Sequence, residues 1–396
     1  MPAHSAAETM GERRSSHRSA AGESSVRRIL YVINSLTTGG AETLLCDLAR
    51  EMASREGTTV TVATLYSARR EEAWRLEGSG VELVSLEMSG RSDILRGARR
   101  LRVLIRERAP EVVHGHLFPT SLVTAVALAG LRGRRPGAVF TEHGEDNNRR
   151  ALRWFRPVDA WSYAAYQRIL CVSASTCQRL VEWIPGVADR TVVLANAVAL
   201  PRTLWSPDGP REQDLLYVGR LEPVKGLDVL LHALSHLRAR GETPSLTVVG
   251  DGAMRGSWES LARELELEAQ VRFVGKSGDV GRFMRASRVL VLPSRNEGMP
   301  MVMLEGMALG MPVVATAVGG SPELVGVPAQ AGALAPPEKP AELAEEIRAM
   351  LADPGRQLRC GAEARRRVER GYSLGSYMER LTEIYGEVFA HAREGK

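Results

Sequence analysis

Cysteine is scarce in this chain: Cys46, Cys171, Cys177 and Cys360 are scattered over 396 residues without a Cys-x-x-Cys pair. Such spacing argues against a zinc site or a disulfide framework and points to a reducing, cytoplasmic setting. An excess of one charge sign is missing too. The 52 basic and 47 acidic side chains leave a formal charge of +5, too slight for wholesale nucleic-acid binding. The longest uncharged stretches, residues 117–131 and 306–322, contain Pro, Gly, Ser and Thr. They fall short of the ~20 apolar residues of a membrane span. No Asp-x-Asp occurs, so the short acidic pair that often holds a divalent ion against a nucleotide diphosphate is absent. Residues 1–25 are rich in Ser, Ala, Arg and Glu and hold no signal-peptide core; a disordered tail is expected there.

What is present is the profile of a globular protein, 44% hydrophobic and 25% charged. The length predicts two domains of somewhat under about 200 residues each. Short β-branched runs at 28–34, 58–65, 81–86, 111–116, 137–143, 168–173 and 190–196 alternate with amphipathic stretches such as 40–56 and 92–109. Strands alternating with helices imply a parallel sheet covered on both faces. After the proline-rich stretch 197–213 the rhythm restarts with "DLLYVG", "SLTVVG", "QVRFVG", "RVLVLP" and "MPVVAT". The expected division is therefore a first Rossmann-like domain over 26–205, a second over 206–372, and a last helix, 373–396, packing back on the first. Two doubly wound sheets facing each other bind ligands between the carboxyl ends of their strands.

The polar candidates fall where such a cleft needs them. Gly39 and Gly40 follow the first strand immediately before a helix expected to start near Ala41, where free amides attract a phosphate or sugar oxygen; a plain tight turn is an equal reading. In "LLYVGRLEPVKG", Gly219 and Arg220 follow a strand and Lys225 opens the next helix. A guanidinium and an ammonium converging there form a diphosphate clamp, against the alternative of solvated surface charges. The order is wrong for the P-loop, and no Ser or Thr follows Lys225. "VVGDGAMRG" is a poor dinucleotide fingerprint, because Gly256 is one residue too far along; a turn shaped by Gly250 and Gly252 is the equal reading.

Of the histidines, His114 and His116 follow the fourth strand and His143 the fifth, ahead of Gly144, Glu145 and Asp146. A core histidine is the ordinary expectation, but His143 stands at a strand's carboxyl end. In "SRNEGMPMVMLEGMALGMPVVAT", Glu297 occupies the loop after a strand, and Pro300 suits the first turn of a helix running to about Leu309. Glu305 then lies within that helix. The two carboxylates could grip two separate polyols, with the amides around Gly298 and Met299 meeting an anion.

Taken together, "YVGRLEPVKG", "VVGDG", "VRFVGKSGDV", "LPSRNEGMPMVMLEGMALGMPVVAT" and "GGSPELV" resemble the second domain of the retaining glycosyltransferases of family 4 (glycosyl transferases group 1), which have the GT-B fold. "GGAE", "VVHGH", "TEHG", "CVSAST" and "LANAV" resemble the first domain more loosely. The resemblance implies that Arg220 and Lys225 bind the donor diphosphate, Glu305 the ribose hydroxyls and Glu297 the transferred sugar. It also implies that Gly40 closes over the phosphate, that His143 touches the sugar near the reacting carbon, and that backbone near Val274 and Gly275 meets the base. The donor enters as substrate, UDP-sugar favoured and GDP-sugar compatible, with no cofactor and no metal. Ala197, where the family commonly has Gly, and the Glu-His order of "TEHG" depart from the pattern on the acceptor side.

The expected activity is transfer of a hexosyl or N-acetylhexosaminyl group, with retention, to a glycan, lipid-linked or small-metabolite acceptor in polysaccharide or glycoconjugate synthesis. A sugar-nucleotide epimerase, a non-catalytic sugar-nucleotide-binding protein and, more weakly, a dehydrogenase are the alternatives. Residues 149–168 hold five of the chain's 20 aromatics and five arginines. They could form an acceptor pocket or an interfacial patch, as could the Arg-rich helix 91–108, whose expected buried stripe is Ile94, Ala98, Leu101 and Ile105. The alternative is a solvated basic face, without contact to the inner face of the cell membrane.

Overall fold

The computed structural model describes residues 26–394 apart from Thr38, 67–73, 146–149, Asp208, 210–211 and Val327. The segment 1–25 lies outside the described residues, as does Asp146.

Seven strands form the first sheet: β1 (Arg28–Ile33), β2 (Thr59–Thr64), β3 (Glu82–Ser85), β4 (Val112–His116), β5 (Gly137–Glu142), β6 (Arg168–Cys171) and β7 (Thr191–Val193). All pair in parallel, in the order β3-β2-β1-β4-β5-β6-β7. Its helices are α1 (Gly40–Ala53), α2 (Ile94–Arg108), α3 (Thr120–Ala129), α4 (Arg156–Tyr163) and α5 (Ala174–Trp183). β1 is buried along its length after Arg28, as a sheet covered on both faces requires: Leu30, Tyr31, Val32 and Ile33 are fully buried.

The second sheet contains β8 (Gln213–Val218), β9 (Leu246–Val249), β10 (Val271–Gly275), β11 (Ser287–Leu292), β12 (Val313–Thr316) and β13 (Ala333–Ala335). Its order is β10-β9-β8-β11-β12-β13, again parallel. Around it lie α6 (Leu227–Arg238), α7 (Arg255–Glu264), α8 (Val280–Ala286), α9 (Met301–Leu309), α10 (Ser321–Val325), α11 (Pro340–Ala352) and α12 (Pro354–Gly371). The sequence rhythm missed β13, because three residues, Ala-Leu-Ala, carry neither β-branching nor a visible period.

The last helix, α13 (Leu374–Glu394), leaves the second sheet and packs on β4 and β5 of the first. Tyr377, Met378, Leu381, Ile384, Tyr385 and Val388 recur at helical spacing and form its buried face. At about 1.5–3 kcal/mol per fully buried large side chain, that stripe fixes the crossing firmly. The expected buried stripe of α2 is nearly right: Ala98, Leu101, Leu104 and Ile105 are inside, while Ile94 is only half-buried.

Each sheet reverses its winding once, between β1 and β4 and between β8 and β11. At such switch points the loops diverge and leave a crevice at the strands' carboxyl ends. The loops after β1, β8 and β11 carry Gly39, Arg220–Lys225 and Glu297, Gly40 opens α1, and His116 ends β4.

Candidate active site

The loop after β8 runs through a 3-10 turn at Pro223–Lys225 into α6. The loop after β11 lies against it: Arg295 grips Asp228 through two bonds of 2.8 and 2.7 Å and donates to the Pro223 carbonyl at 2.6 Å. Burial works to raise the Asp228 carboxyl, but the guanidinium outweighs it and holds the group below its ordinary range. This bidentate pair fixes the two loops as one unit. Sequence reading missed it, since Arg295 and Asp228 are 67 residues apart.

Each cation of the expected clamp has a carboxylate partner in the structure. Lys225 Nζ donates to Glu297 Oε1 at 2.6 Å, and Ser294 Oγ donates to the same oxygen at 2.7 Å. The ammonium is thus charge-matched before any ligand arrives. Arg220 pairs with its neighbour Glu222 at 3.0 Å, yet its side chain is 60% exposed, so a pair of this kind is readily exchanged for a ligand. Gly219 is backed by the turn after β9. A Cβ on Gly250, at φ 138°, would lie 1.9 Å from the Gly219 carbonyl oxygen. The glycines of "VVGDG" therefore serve a close backbone approach, and Gly250 N donates to the Gly275 carbonyl at 2.8 Å, which puts Val274 and Gly275 on the neighbouring strand end.

Glu305 sits in α9, whose first residue is Met301, with Pro300 at the N-cap rather than inside the first turn. Burial pushes its carboxyl up to about 7, the Arg75 guanidinium pulling it down and Asp47 raising it. Both of these neighbours belong to the first sheet's unit, so α9 faces that unit across the crevice. Gly40, the first residue of α1, lies against the same helix: a Cβ there would be 2.7 Å from Met301 Cγ. Gly39 is the extended N-cap, and Glu42 folds back over it. Burial raises the Glu42 carboxyl, while its own backbone amide, Arg220 and Arg75 lower it. Arg75, unforeseen in the sequence, donates to Thr43 Oγ1 and lies among these carboxylates.

His143 directly follows β5 and approaches the Glu297 loop. A Cβ on Gly298 would lie 2.0 Å from the His143 carbonyl oxygen, so only glycine permits this apposition. Met299, beside it, is held through its carbonyl, which accepts from Asn196 Nδ2 at 3.0 Å. Behind the loop, Gly320 N donates to the Gly298 carbonyl at 2.7 Å, and Glu323 Oε1 accepts from Ala174 N, at the start of α5, at 2.9 Å. Asn196 and Glu323 thus tie the two units together. Only the local likeness of "LANAV" and "GGSPELV" hinted at them.

The three histidines form one assembly. His143 Nε2 is 3.1 Å from His116 Nδ1, and the His116 and His114 rings lie 4.2 Å apart between centroids. Burial drives His114 down to about 3 and His143 to about 4, and His116 well below its usual value. All three are neutral near pH 7. Glu142, of the departing "TEHG", accepts from the Tyr163 hydroxyl.

The aromatic segment divides in two. Tyr163 and Tyr166 are core residues, which corrects the expectation that the whole segment lines an acceptor pocket or interface: β5 and β6 bury them against Phe140. Trp154 and Trp161 stay outside, 69% and 49% exposed.

Residues 38–202 match the family described as Glycosyltransferase Family 4, and residues 207–367 the one described as Glycosyl transferases group 1. Glycogen synthase of Mycobacterium tuberculosis is 29% identical over 306 residues, covering 74% of this chain and 73% of that protein. The sucrose-phosphate synthase structure from Thermosynechococcus elongatus aligns with a TM-score of 0.79 over 92% of this chain and 100% of that one, at 20% identity. The Anabaena protein HepE, crystallised with UDP and glucose, gives 0.77 over 90% and 99%, at 21% identity. At these identities the two structures bear on the fold alone.

Proposed function

The chain belongs to the group 1/family 4 glycosyltransferases of GT-B fold, and on that premise we propose that it transfers a hexosyl or N-acetylhexosaminyl group from a nucleotide sugar, with retention at the anomeric carbon. The observation that carries the reading is the Lys225–Glu297 pair at one switch point, with the Glu297 loop against His143 of the other unit. Arg220 and Lys225 take the diphosphate oxygens, Glu305 the ribose hydroxyls, and Glu297 and His143 the sugar. The backbone of Gly298 and Met299 and the Gly39–Gly40 turn close around the phosphate. Cations supply the charge that a metal would otherwise bring, so the reaction is metal-independent. The complex of HepE with UDP and glucose supports a UDP-sugar as the first donor to try.

In the reaction the bond from the anomeric carbon to the phosphate oxygen breaks, and its electron pair stays on the leaving diphosphate. Arg220 and Lys225 stabilise that growing charge. The acceptor hydroxyl oxygen bonds to the same face of the carbon, and its proton passes to the leaving phosphate oxygen. No protein nucleophile is required.

Binding and slow hydrolysis across a nucleotide-sugar panel, with and without chelator, test this proposal. Glu305→Ala and Lys225→Ala should each weaken the preferred donor. If neither change weakens any nucleotide sugar, the site assignment is wrong.

A second reading, contact with an anionic membrane face where a lipid-linked acceptor resides, rests on exposure. Leu152, Trp154 and Trp161 protrude beside the exposed Arg153 and Arg156. On α2, Leu95, Arg99, Val103 and Arg106 form one exposed face at helical spacing. α2, α3 and α4 pack side by side, so these groups share a flank of the first sheet. Among the described residues no helix is long and apolar enough to cross a membrane; interfacial insertion of aromatics with arginine at the headgroups is the matching mode. Vesicles with anionic lipid should co-sediment the protein, and Trp154→Glu with Trp161→Glu should abolish this; sedimentation unchanged in that variant would refute it.

A further inference from the structure

The buried rings beneath the site are ordered by their hydrogen bonds. Tyr385, on α13, donates to the Tyr31 hydroxyl at 3.2 Å, so its oxygen accepts from His114 Nδ1 at 2.7 Å. His114 Nε2 then accepts from the Thr141 hydroxyl at 2.7 Å. Every polar atom of His114 is matched in one direction only, which fixes its proton on Nδ1. His116 stacks on this ring and is itself 1% exposed.

The proton between His116 Nδ1 and His143 Nε2 can belong to either ring. If His143 held it, the proton of neutral His116 would sit on Nε2, which is buried and has no partner among the described residues. A buried N–H without an acceptor is rarer and costlier than a bare lone pair. The proton therefore belongs to His116 Nδ1, and His143 accepts at Nε2. Neutral His143 must then be protonated at Nδ1, where no hydrogen bond is formed among the described residues.

We propose that His116 is a positioning residue that holds His143 in its Nδ1-protonated tautomer, so that His143 offers an N–H to an oxygen of the bound sugar. The inference rests on the reading of His143 as a contact to the donor sugar. Its chemical core, the tautomer, is independent of any substrate. His114, braced by Tyr385 from the chain's last helix, is the floor on which His116 is stacked.

Two-bond proton–nitrogen correlation spectra of the protein labelled at histidine nitrogen distinguish protonated from bare ring nitrogens. The His143 signals are assigned by their loss in His143→Gln. Near pH 7, Nδ1 should be the protonated nitrogen in the wild-type protein. Finding the proton on Nε2 overturns the proposal whether or not any donor is turned over, whereas failure of the donor panel overturns only the functional reading. In kinetics, His116→Leu should lower kcat by about 10- to 100-fold, the range for lost support of a catalytic group, with donor KM within about twofold. His116→Asn places an amide donor where Nδ1 stood and should recover most of that loss. Equal losses in the two variants, or none in either, would refute the positioning role.

Discussion

Replacing Glu305 by Gln should make the protein more stable and a poorer binder of nucleotide sugar. Burial raises the Glu305 carboxyl from 4.5 to about 7 in the folded chain, a difference corresponding to about 3 kcal/mol. A carboxyl whose folded value lies above its unfolded one stabilises fully below about pH 4.5. It loses that contribution as pH rises through about 7, because the folded state must then hold a buried charge. The stability of Glu305→Gln minus that of the wild type should therefore grow by about 3 kcal/mol between about pH 4.5 and 8. Denaturant unfolding at several pH values measures this difference and cancels the titrating groups that do not interact with Glu305. Ribose hydroxyls donating to Glu305 favour its ionised form, so wild-type affinity for the nucleotide sugar should tighten as pH rises towards about 8. The variant should bind weakly at every pH. A stability difference independent of pH would refute the burial argument, and unimpaired binding would refute the ribose assignment.

Lys225→Ala strips Glu297 of its 2.6 Å partner and should weaken nucleotide-sugar binding about 10- to 100-fold, the cost of losing a charge-assisted contact, measurable by calorimetry. Gly298→Ala would bring a methyl group to 2.0 Å from the His143 carbonyl. It should destabilise by about 1–3 kcal/mol as an overpacked contact and lower kcat more than it raises KM, as steady-state kinetics would reveal. His114 and His116, 0% and 1% exposed, are held neutral by burial. Because their folded values lie below 6.5, stability is present above that pH and is lost as pH falls through it. At about pH 5 His114 alone, its folded value at about 3, should cost about 2 kcal/mol relative to about pH 8. His116 acts in the same direction, and a His114→Leu, His116→Leu double variant should flatten this acid limb in pH-dependent unfolding.

The sheets were legible because their strands are nearly continuous β-branched runs, a signal that survives without tertiary context. The edge strand β13 was not, since Ala333–Ala335 pairs only through its backbone. Lys225 and Glu297 follow such runs, and Glu305 lies in the helix that comes after one, so their place beside the crevice could be read from order alone. What escaped is what long-range packing creates. Lys225 and Glu297, 72 residues apart, meet as an ion pair rather than as separate ligand contacts. Arg75 answers to carboxylates on both sides of the crevice. The stacking of His116 between His114 and His143 depends on two adjacent strands in register, His114 against Val139 and His116 against Thr141, which no spacing within either segment reveals.

The helix α13 has a consequence for synthesis of the chain. Its apolar face, from Tyr377 to Val388, covers β4 and β5, and Gly137 has no side chain so that Val388 can lie on it. During translation the first seven strands emerge while that cover is still some 180 residues from being made, the distance from Val193 to Leu374. The first unit must wait, its central strands uncovered on one flank, until the second has been completed. Chaperone dependence should therefore concentrate on the early half of the chain, and a fragment ending before the second sheet should aggregate although it contains an entire seven-stranded sheet.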